Sequence, residues 1–188
     1  MTTIINKLYG RLAQTGFEKK FVMRFFPGWW EDSATEYPGA VQQLKLHLAR
    51  CLGIEALSLL DDNQIPRFIN LLSCRFKQAK NANVEKSQIL TAIATTVGRM
   101  VATGTDNKYH PFVSDAQELR QQVLNQGHRW VGFEQLLDLC WAHGIPVIHL
   151  IHRPKGSGHL DGIAMVIENR PIIILLSLIH ISEPTRPY

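Results

Sequence analysis

One stretch, Trp130–Leu175, constrains the fold of this 188-residue chain more than any other. Apolar residues recur at helical spacing over Phe133–Trp141, and Gly144 and Pro146 then end the helix. A short apolar strand, a polar loop and two further apolar strands follow, so the stretch predicts an α+β fold. The expected strands are Pro146–Ile151, His159–Ile167 and Arg170–Leu175, with a tight turn at Glu168-Asn169 between the last two.

The chain before this stretch is predicted to be mostly helical. Ile4–Thr15 and Gly39–Leu52 carry apolar residues at helical spacing, and Ile54–Leu60 adds a further short helix. Residues 1–60 therefore favour four or five short helices separated by tight breaks. The clearest long helix is expected at Val84–Thr103, because its apolar residues fall on one face.

Two connecting segments separate these helices. Arg67–Lys80 mixes apolar and basic residues, which is typical of an amphipathic, solvated connector. Residues 104–113 are expected to form a loop and a candidate linker. Ser114 is the predicted N-cap of the next helix, because Gln117 stands three residues later and completes a capping-box pattern.

Composition excludes several classes of protein. A hydrophobic content of 45% can fill a core, and the sequence has no apolar run of the length that a transmembrane helix needs. The N-terminus has no apolar signal-peptide core, so a cytoplasmic location and no membrane partner are expected. The whole net charge of +4 lies in residues 1–80, which permits nucleic-acid contact there without requiring it.

The cysteines do not predict a disulfide framework or a metal site. Cys51, Cys74 and Cys140 are odd in number and widely spaced, and no pair has the CxxC spacing of a zinc site. Three reduced, buried thiols are therefore expected.

Leu48–Leu60, LARCLGIEALSLL, resembles the closing helices of lambda-repressor-like helix-turn-helix domains. Such a domain docks a recognition helix in the major groove of DNA. The segment that would supply this helix, Phe21–Trp30, is aromatic where short polar base-reading residues are expected. A degenerate helical domain used for protein contact is therefore favoured over DNA recognition, and DNA binding is kept as an alternative.

Three stretches resemble large bacterial ImmA/IrrE-like proteins. Phe25–Ser33, FFPGWWEDS, is similar to a tryptophan pair near their N-terminus, although Gly28 replaces the usual acidic residue. Trp130–Leu150 resembles their helix–GIPV core, although Gly132 stands where an acidic helix cap is common, and His159–Leu175 resembles their hairpin. These proteins combine a repressor-like helical part with a zincin-like zinc metallopeptidase part.

The resemblance implies a regulator-cleaving zinc metallo-endopeptidase with a repressor-type protein as its substrate. In that family the hairpin leads into a helix carrying His-Glu-x-x-His, whose histidines bind zinc and whose glutamate polarises water. No His-Glu-x-x-His occurs in this sequence. No catalytic, cofactor-binding or metal residue is therefore assigned, and the chain as given is expected to be inactive, a fragment that ends before the zinc-binding helix.

The last segment, Leu176–Tyr188, is interpreted as a non-native tail. Its sequence through Arg186 matches a translation of a transposase-derived adapter used in short-read library preparation. His180 and Glu183 consequently receive no functional weight. Three regions are expected: 1–80 helical and repressor-like with a connector, 81–175 an incomplete metallopeptidase-like region, and 176–188 the tail.

Histidines that cluster in sequence are the candidates for a substitute metal site. His149, His159 and Asp161 would meet if their strands were adjacent, but their spacing matches no known ligand signature, and His143 and His152 complete no signature either. His149 is favoured as a half-buried strand residue. Asp161-Gly162 is favoured as a backbone-shaping pair, and the KGSG at 155–158 is too short for a phosphate loop.

The hairpin also predicts poor solubility. Without a helix to cover it, one apolar face would be exposed, and the uncharged run at its end is prone to β-aggregation. The residues expected on this exposed face are Ile163, Met165, Ile172 and Ile174.

Overall fold

The computed structural model describes residues 3–69, 74–78, 84–112, 115–154 and 160–178. Helices and one small sheet make up this part of the chain, so the predicted α+β class is confirmed. No helix in the described ranges is both long and apolar enough to cross a membrane. Contacts divide the chain into a first unit of Met1–Leu72, Gln78–Val97 and His152–His159, and a second unit of Ser73–Lys77, Gly98–Ile151 and Leu160–Tyr188.

Short helices build the first unit, as the sequence predicts. Short 3₁₀ segments at Met23–Phe25 and Asp32–Glu36 lie between α2 and α3. The α-helices that begin in this unit are α1 (Thr3–Gln14), α2 (Lys19–Val22), α3 (Pro38–Leu52), α4 (Ala56–Leu60) and the long α5 (Val84–Gly104), whose residues through Val97 belong to it.

A glycine sets the close approach of α3 to α5. Gly53 ends α3 in the left-handed conformation, with φ of 68°, and its amide donates to the carbonyl of Ala49. A Cβ added at Gly53 would lie 2.7 Å from the carbonyl oxygen of Ala92. Only glycine meets both demands, because other residues rarely adopt this φ and would strike the facing backbone.

Apolar side chains from every helix of the first unit fill its core. Phe17 stacks on Phe21 with ring centroids 6.0 Å apart and meets Phe68 edge-on at 5.9 Å. Phe21 and Val22 in α2 are buried, so the segment compared above with a recognition helix contributes to packing. The other core members include Leu8, Leu12, Leu44, Leu48, Leu52, Leu59 and Leu90.

The second unit contains the sheet. Its strand order is β1-β3-β4-β2, in which β2 runs parallel to β4 and β3 runs antiparallel to β4. A two-residue turn joins β3 to β4 with φ of 50° at Glu168 and 64° at Asn169, which confirms the predicted turn. The elements are β1 (Cys74–Gln78), α6 (Ala116–Asn125), α7 (Phe133–Ala142), β2 (Val147–His149), β3 (Leu160–Ile167) and β4 (Arg170–Leu175), with α5 contributing from Gly98 onward.

One face of this sheet is buried and the other is open. The residues that the sequence predicted to be exposed lie on the buried face. Ile172 and Ile174 have no exposed surface, and α5 packs on this side through Gly98. The prediction that this face is uncovered was therefore wrong. The residues facing the other way are half-buried or exposed: Val147, His149, Ala164, Val166, Pro171, Ile173 and Leu175.

Two local predictions need correction. The segment interpreted as a solvated connector, Arg67–Lys80, contains strand β1. The N-cap of α6 is Asp115, whose carboxylate accepts a hydrogen bond from the amide of Gln117 at 2.8 Å. The predicted cap, Ser114, lies outside the described residues.

Candidate functional site

The structure does not bring His149 and Asp161 together as ligands of one metal ion. His149 ends β2 and Asp161 lies in β3, and β4 runs between these two strands. Two strand spacings, roughly 10 Å, therefore separate their backbones. His149 is in register with Leu175, and Leu175 with Gly162, so the Asp161 side chain points to the opposite face. His149 is also exposed, not half-buried as predicted.

Of the other histidines in this region, His143 is held by hydrogen bonds and by packing of its ring. The His143 ring nitrogen Nδ1 lies 3.1 Å from the carbonyl oxygen of His110, whose own amide donates to the His143 carbonyl at 2.9 Å. Phe112 packs against the His143 ring at 4.7 Å. His152 is exposed and His159 lies outside the described residues. Within the described ranges, no group of three or more His, Cys, Asp or Glu side chains is placed to hold a metal ion.

A buried guanidinium forms the most elaborate polar cluster of the first unit. Arg11 donates to the carbonyls of Leu59 at 3.0 Å and Ser58 at 2.7 Å, near the end of α4. It also donates to the Asp61 carbonyl at 2.6 Å and to the Gln64 carbonyl at 2.9 Å. A cation at a helix C-terminus satisfies carbonyls that lack a partner inside the helix. Arg11 therefore holds the end of α4 and the turn that follows it.

Two buried cations share one carboxylate in this cluster. Lys45, only 2% exposed, donates to Asp62 Oδ1 at 2.8 Å, and Arg11 reaches the same oxygen at 2.8 Å. Burial alone would raise the pKa of Asp62, but the hydrogen bond and charge of Lys45, with the charges of Arg11 and Lys7, hold it below its usual range. Asp62 neutralises one of the two cations, and the carbonyls that accept from Arg11 stabilise the remaining positive charge, which is the arrangement of a structural ion cluster and not of a reactive site.

Sequence reasoning missed this cluster, although a signal was present. Arg11 stands between Leu8 and Leu12, on the side of α1 that faces the core. A cation on an apolar helix face needs a buried partner. Its partner Asp62 follows α4, far along the chain, and no local pattern connects it to α1.

The described cysteines are half-buried thiols. Cys51 Sγ lies 3.6 Å from His47 Nε2, one turn away on α3. Burial raises the pKa of Cys51, against a smaller opposing effect of Arg50, and burial likewise raises the pKa of Cys140. A raised pKa keeps the less nucleophilic thiol form, so neither residue is placed as a reactive nucleophile. The side chain of Cys74 lies outside the described residues.

An open cleft of about 450 Å³ lies in the second unit, beside strand β2. Ile148 and Val101 supply apolar walls, and Trp141, with 39% of its surface exposed, adds an aromatic one. Thr105, Asp106 and Asn107 supply the polar part of the lining, and the Asn107 amide lies 3.5 Å from the Trp141 carbonyl oxygen. The cleft therefore offers an apolar and aromatic surface next to a carboxylate and an amide.

Comparison with known proteins identifies no relative of this chain: no protein-family model, no curated protein and no solved structure matches it.

Proposed function

We propose that this chain supplies the helical N-terminal region and the helix–strand–hairpin scaffold of an ImmA/IrrE-like zinc metallo-endopeptidase. The whole enzyme would cleave a repressor-type regulator, and the 188 residues alone would be inactive. The observation that carries the proposal is the stretch Trp130–Leu175, whose residues resemble that family and whose elements occur in the order α7, β2, β3, β4.

The junction between α7 and β2 supports the proposal, because its rare residue choices have structural reasons. Gly144 has a φ of 69°, and a Cβ there would collide with the Lys108 carbonyl. Pro146 then prevents the helix from continuing, and its carbonyl accepts from the Ile173 amide at 3.0 Å. The Gly-Ile-Pro sequence thus sets the strand parallel to β4.

One departure from the family pattern has a local compensation. Gly132 stands at the N-cap of α7, where the resemblance leads us to expect an acidic side chain. The Gln135 side-chain oxygen instead accepts a hydrogen bond from the Gly132 amide at 3.0 Å. The helix start is therefore secured without the acidic cap, at the loss of its favourable charge near the helix N-terminus.

The described residues do not fit a zinc ion. Across the described ranges no three candidate ligands converge, and the sequence holds no His-Glu-x-x-His. We therefore derive no catalytic step through zinc for this chain. Its own contribution under the proposal is the scaffold: α7, the sheet and the turn at Asn169.

The decisive test is a long sequencing read of the source locus through the codons for Leu175 and Leu176. The proposal expects the reading frame to continue into an apolar helix with His-Glu-x-x-His. The protein from that frame should cleave a repressor-type substrate in the presence of zinc, whereas the 188-residue chain should not. A locus that encodes LSLIHISEPTRPY followed by a stop would refute the peptidase proposal, as would zinc-dependent cleavage by the 188-residue chain itself.

The alternative is a regulator that acts through the first unit without proteolysis. Trp29 and Tyr37 favour it, because both large aromatic side chains are about half or more exposed, as is typical of protein-contact surfaces. DNA contact in place of protein contact is tested with a labelled duplex and the full chain. Binding that weakens steeply between about 50 and about 200 mM salt would support the DNA version, and no binding at the lower salt would exclude it.

A further inference from the structure

We propose that the outer edge of β2 binds an extended peptide segment of a partner protein, and that one basic side chain of this segment enters the cleft beside Trp141. The proposal concerns a strand edge and a cleft whose residues lie in the second unit. It requires neither zinc nor the peptidase assignment, so it stands or falls separately from the proposed function.

The hydrogen bonds to β4 fix which backbone groups of β2 face outward. The Pro146 carbonyl accepts from Ile173, and the Leu150 amide donates to the Leu175 carbonyl at 2.9 Å. In a parallel ladder with this register, Ile148 directs its amide and carbonyl toward β4. Val147 and His149, the residues on either side, must therefore direct their amides and carbonyls away from the sheet.

These four outward groups have no partner within the described part of the chain. β2 is the last strand in the sheet order, and no hydrogen bond from a described residue reaches them. Unpaired amides and carbonyls on an edge form a template for another strand, and proteins usually protect such edges with a short strand, lysine, proline or a bulge. Of these protections β2 has its short length, and its outward positions carry a valine and a histidine in place of lysine or proline.

The cleft determines which side chain the incoming strand should carry. A residue paired opposite Ile148 places its side chain on the same face of the sheet as Ile148, which lines the cleft. There the side chain meets Val101 and Trp141 along its length and the carboxylate of Asp106 at the polar side. An arginine or lysine matches this surface, because its apolar stem packs while its cation faces an aromatic ring and a carboxylate.

The same chemistry argues against a second copy of β2 as the occupant. An edge-to-edge pair of this chain would present the segment PVIHL, which contains no lysine or arginine. It would leave Asp106 without a basic partner. A strand of only three residues also forms few backbone bonds, so the side chain in the cleft has to supply part of the affinity.

The test uses the full chain and a fluorescein-labelled heptapeptide of alternating threonine and valine with a central arginine. We expect saturable binding in fluorescence anisotropy. A peptide with a central aspartate, and a peptide N-methylated at alternate residues, should each bind at least about tenfold more weakly, because one loses the charge match and the other the backbone donors. Equal binding of all three peptides would overturn the proposal.

Two protein variants locate the binding site. His149→Pro removes the outward amide without touching the bonds to β4, whereas His149→Ala keeps that amide and loses only the imidazole. The proline variant should weaken binding about tenfold and the alanine variant less than about twofold. Equal affinities for the two variants, with their folds verified by circular dichroism, would contradict an edge site.

The charge of the cleft is tested separately, so that the proposal does not depend on one proline variant. Asp106→Lys should lower affinity for the arginine peptide and raise it for the aspartate peptide, while Asp138→Lys, on the exposed side of α7, should change neither. Concentration-dependent dimers that His149→Pro abolishes, together with no binding of the arginine peptide, would assign the edge to a second copy and overturn the peptide proposal.

Discussion

The two units bury their apolar residues in different ways. In the first unit, Leu12, Leu44 and Leu52 have no exposed surface, and the two buried cations close the end of a helix. In the second unit, fully buried Ile174 alternates with half-buried neighbours in β4, and Val166 on β3 is 54% exposed. The first unit packs its apolar helix faces against one another, whereas the second keeps an apolar sheet face open in the described part of the chain.

The difference teaches how to interpret the apolar runs of β3 and β4. A sheet that is solvated on one face normally alternates apolar and polar residues, whereas a near-continuous apolar run is typical of strands covered on both faces. β4 is apolar from Pro171 to Leu175, yet Ile173 and Leu175 are only half-buried. Its composition is therefore that of a strand with two covered faces, and the described residues cover one of them.

The largest expected effect tests the buried ion cluster of the first unit. Arg11→Met should destabilise α1 and α4 by about 3–5 kcal/mol, because it leaves several buried carbonyls without their donor and removes one of the two cations paired with Asp62. Hydrogen exchange of the amides in α1 and α4 measures this local free energy. Arg50→Met on the exposed side of α3 is the matched control and should change stability by less than about 0.5 kcal/mol. A loss for Arg11→Met no larger than that of the control would mean that the cluster does not hold the unit together.

The second prediction tests the assignment of sheet faces. Ile174→Ala should destabilise β4 by about 2–4 kcal/mol, because it leaves a cavity on the buried face. Ile173→Ala, its neighbour on the open face, should cost less than about 1 kcal/mol, since water already reaches that side chain. Hydrogen exchange in β4 distinguishes the two variants. The reverse order, with Ile173→Ala the more damaging, would show that the open face is covered in solution.

Sequence alone predicted most of the elements, although not β1, because their signals are local. Helical spacing and the stops at Gly53 and Gly144 fixed α3 and α7 to within one residue, and the turn at Asn169 follows from residue choice. That α5 covers the face of Ile172 and Ile174 could not be predicted, because no local pattern connects α5 to the hairpin. Nor could the partners of Arg11, since the Leu59 carbonyl lies 48 residues away in the chain.

The candidate sites differ in how far the sequence could predict them, and the reason is the same. The histidine cluster near β2 was visible as a short-range pattern, but the intervention of β4 between His149 and Asp161 depends on strand order. The cleft joins Asp106 to Trp141 and Ile148, residues that no spacing rule connects. Local patterns thus located most elements of the second unit, whereas its surface depends on how those elements pair.

A smaller effect on stability is expected from pH in the first unit. The pKa of Asp62 is lowered in the folded chain, so its contribution to stability is complete above the unfolded value of about 3.9 and is lost as pH falls through the folded value. Because its side chain is 44% exposed, we expect no more than about 1 kcal/mol from this group. Urea unfolding of the wild type and of Asp62→Asn, from neutral pH to below about pH 4, should show the gap between them narrowing. A gap that stays constant over this range would exclude the ionic contribution.

The smallest effect on stability tests the open face of the second unit. Val166→Lys places a charge where the side chain already reaches water, so the free energy of unfolding should change by less than about 0.5 kcal/mol. Aggregation should nevertheless fall, because a charge on the apolar open face of a β-prone strand opposes association. Light scattering at rising protein concentration measures this, with Met165→Lys, on the buried face, as the contrasting variant that should lose the native sheet. Unchanged aggregation in a stably folded Val166→Lys protein would mean that the open face does not drive self-association, and the comparison between the units would then rest on stability alone.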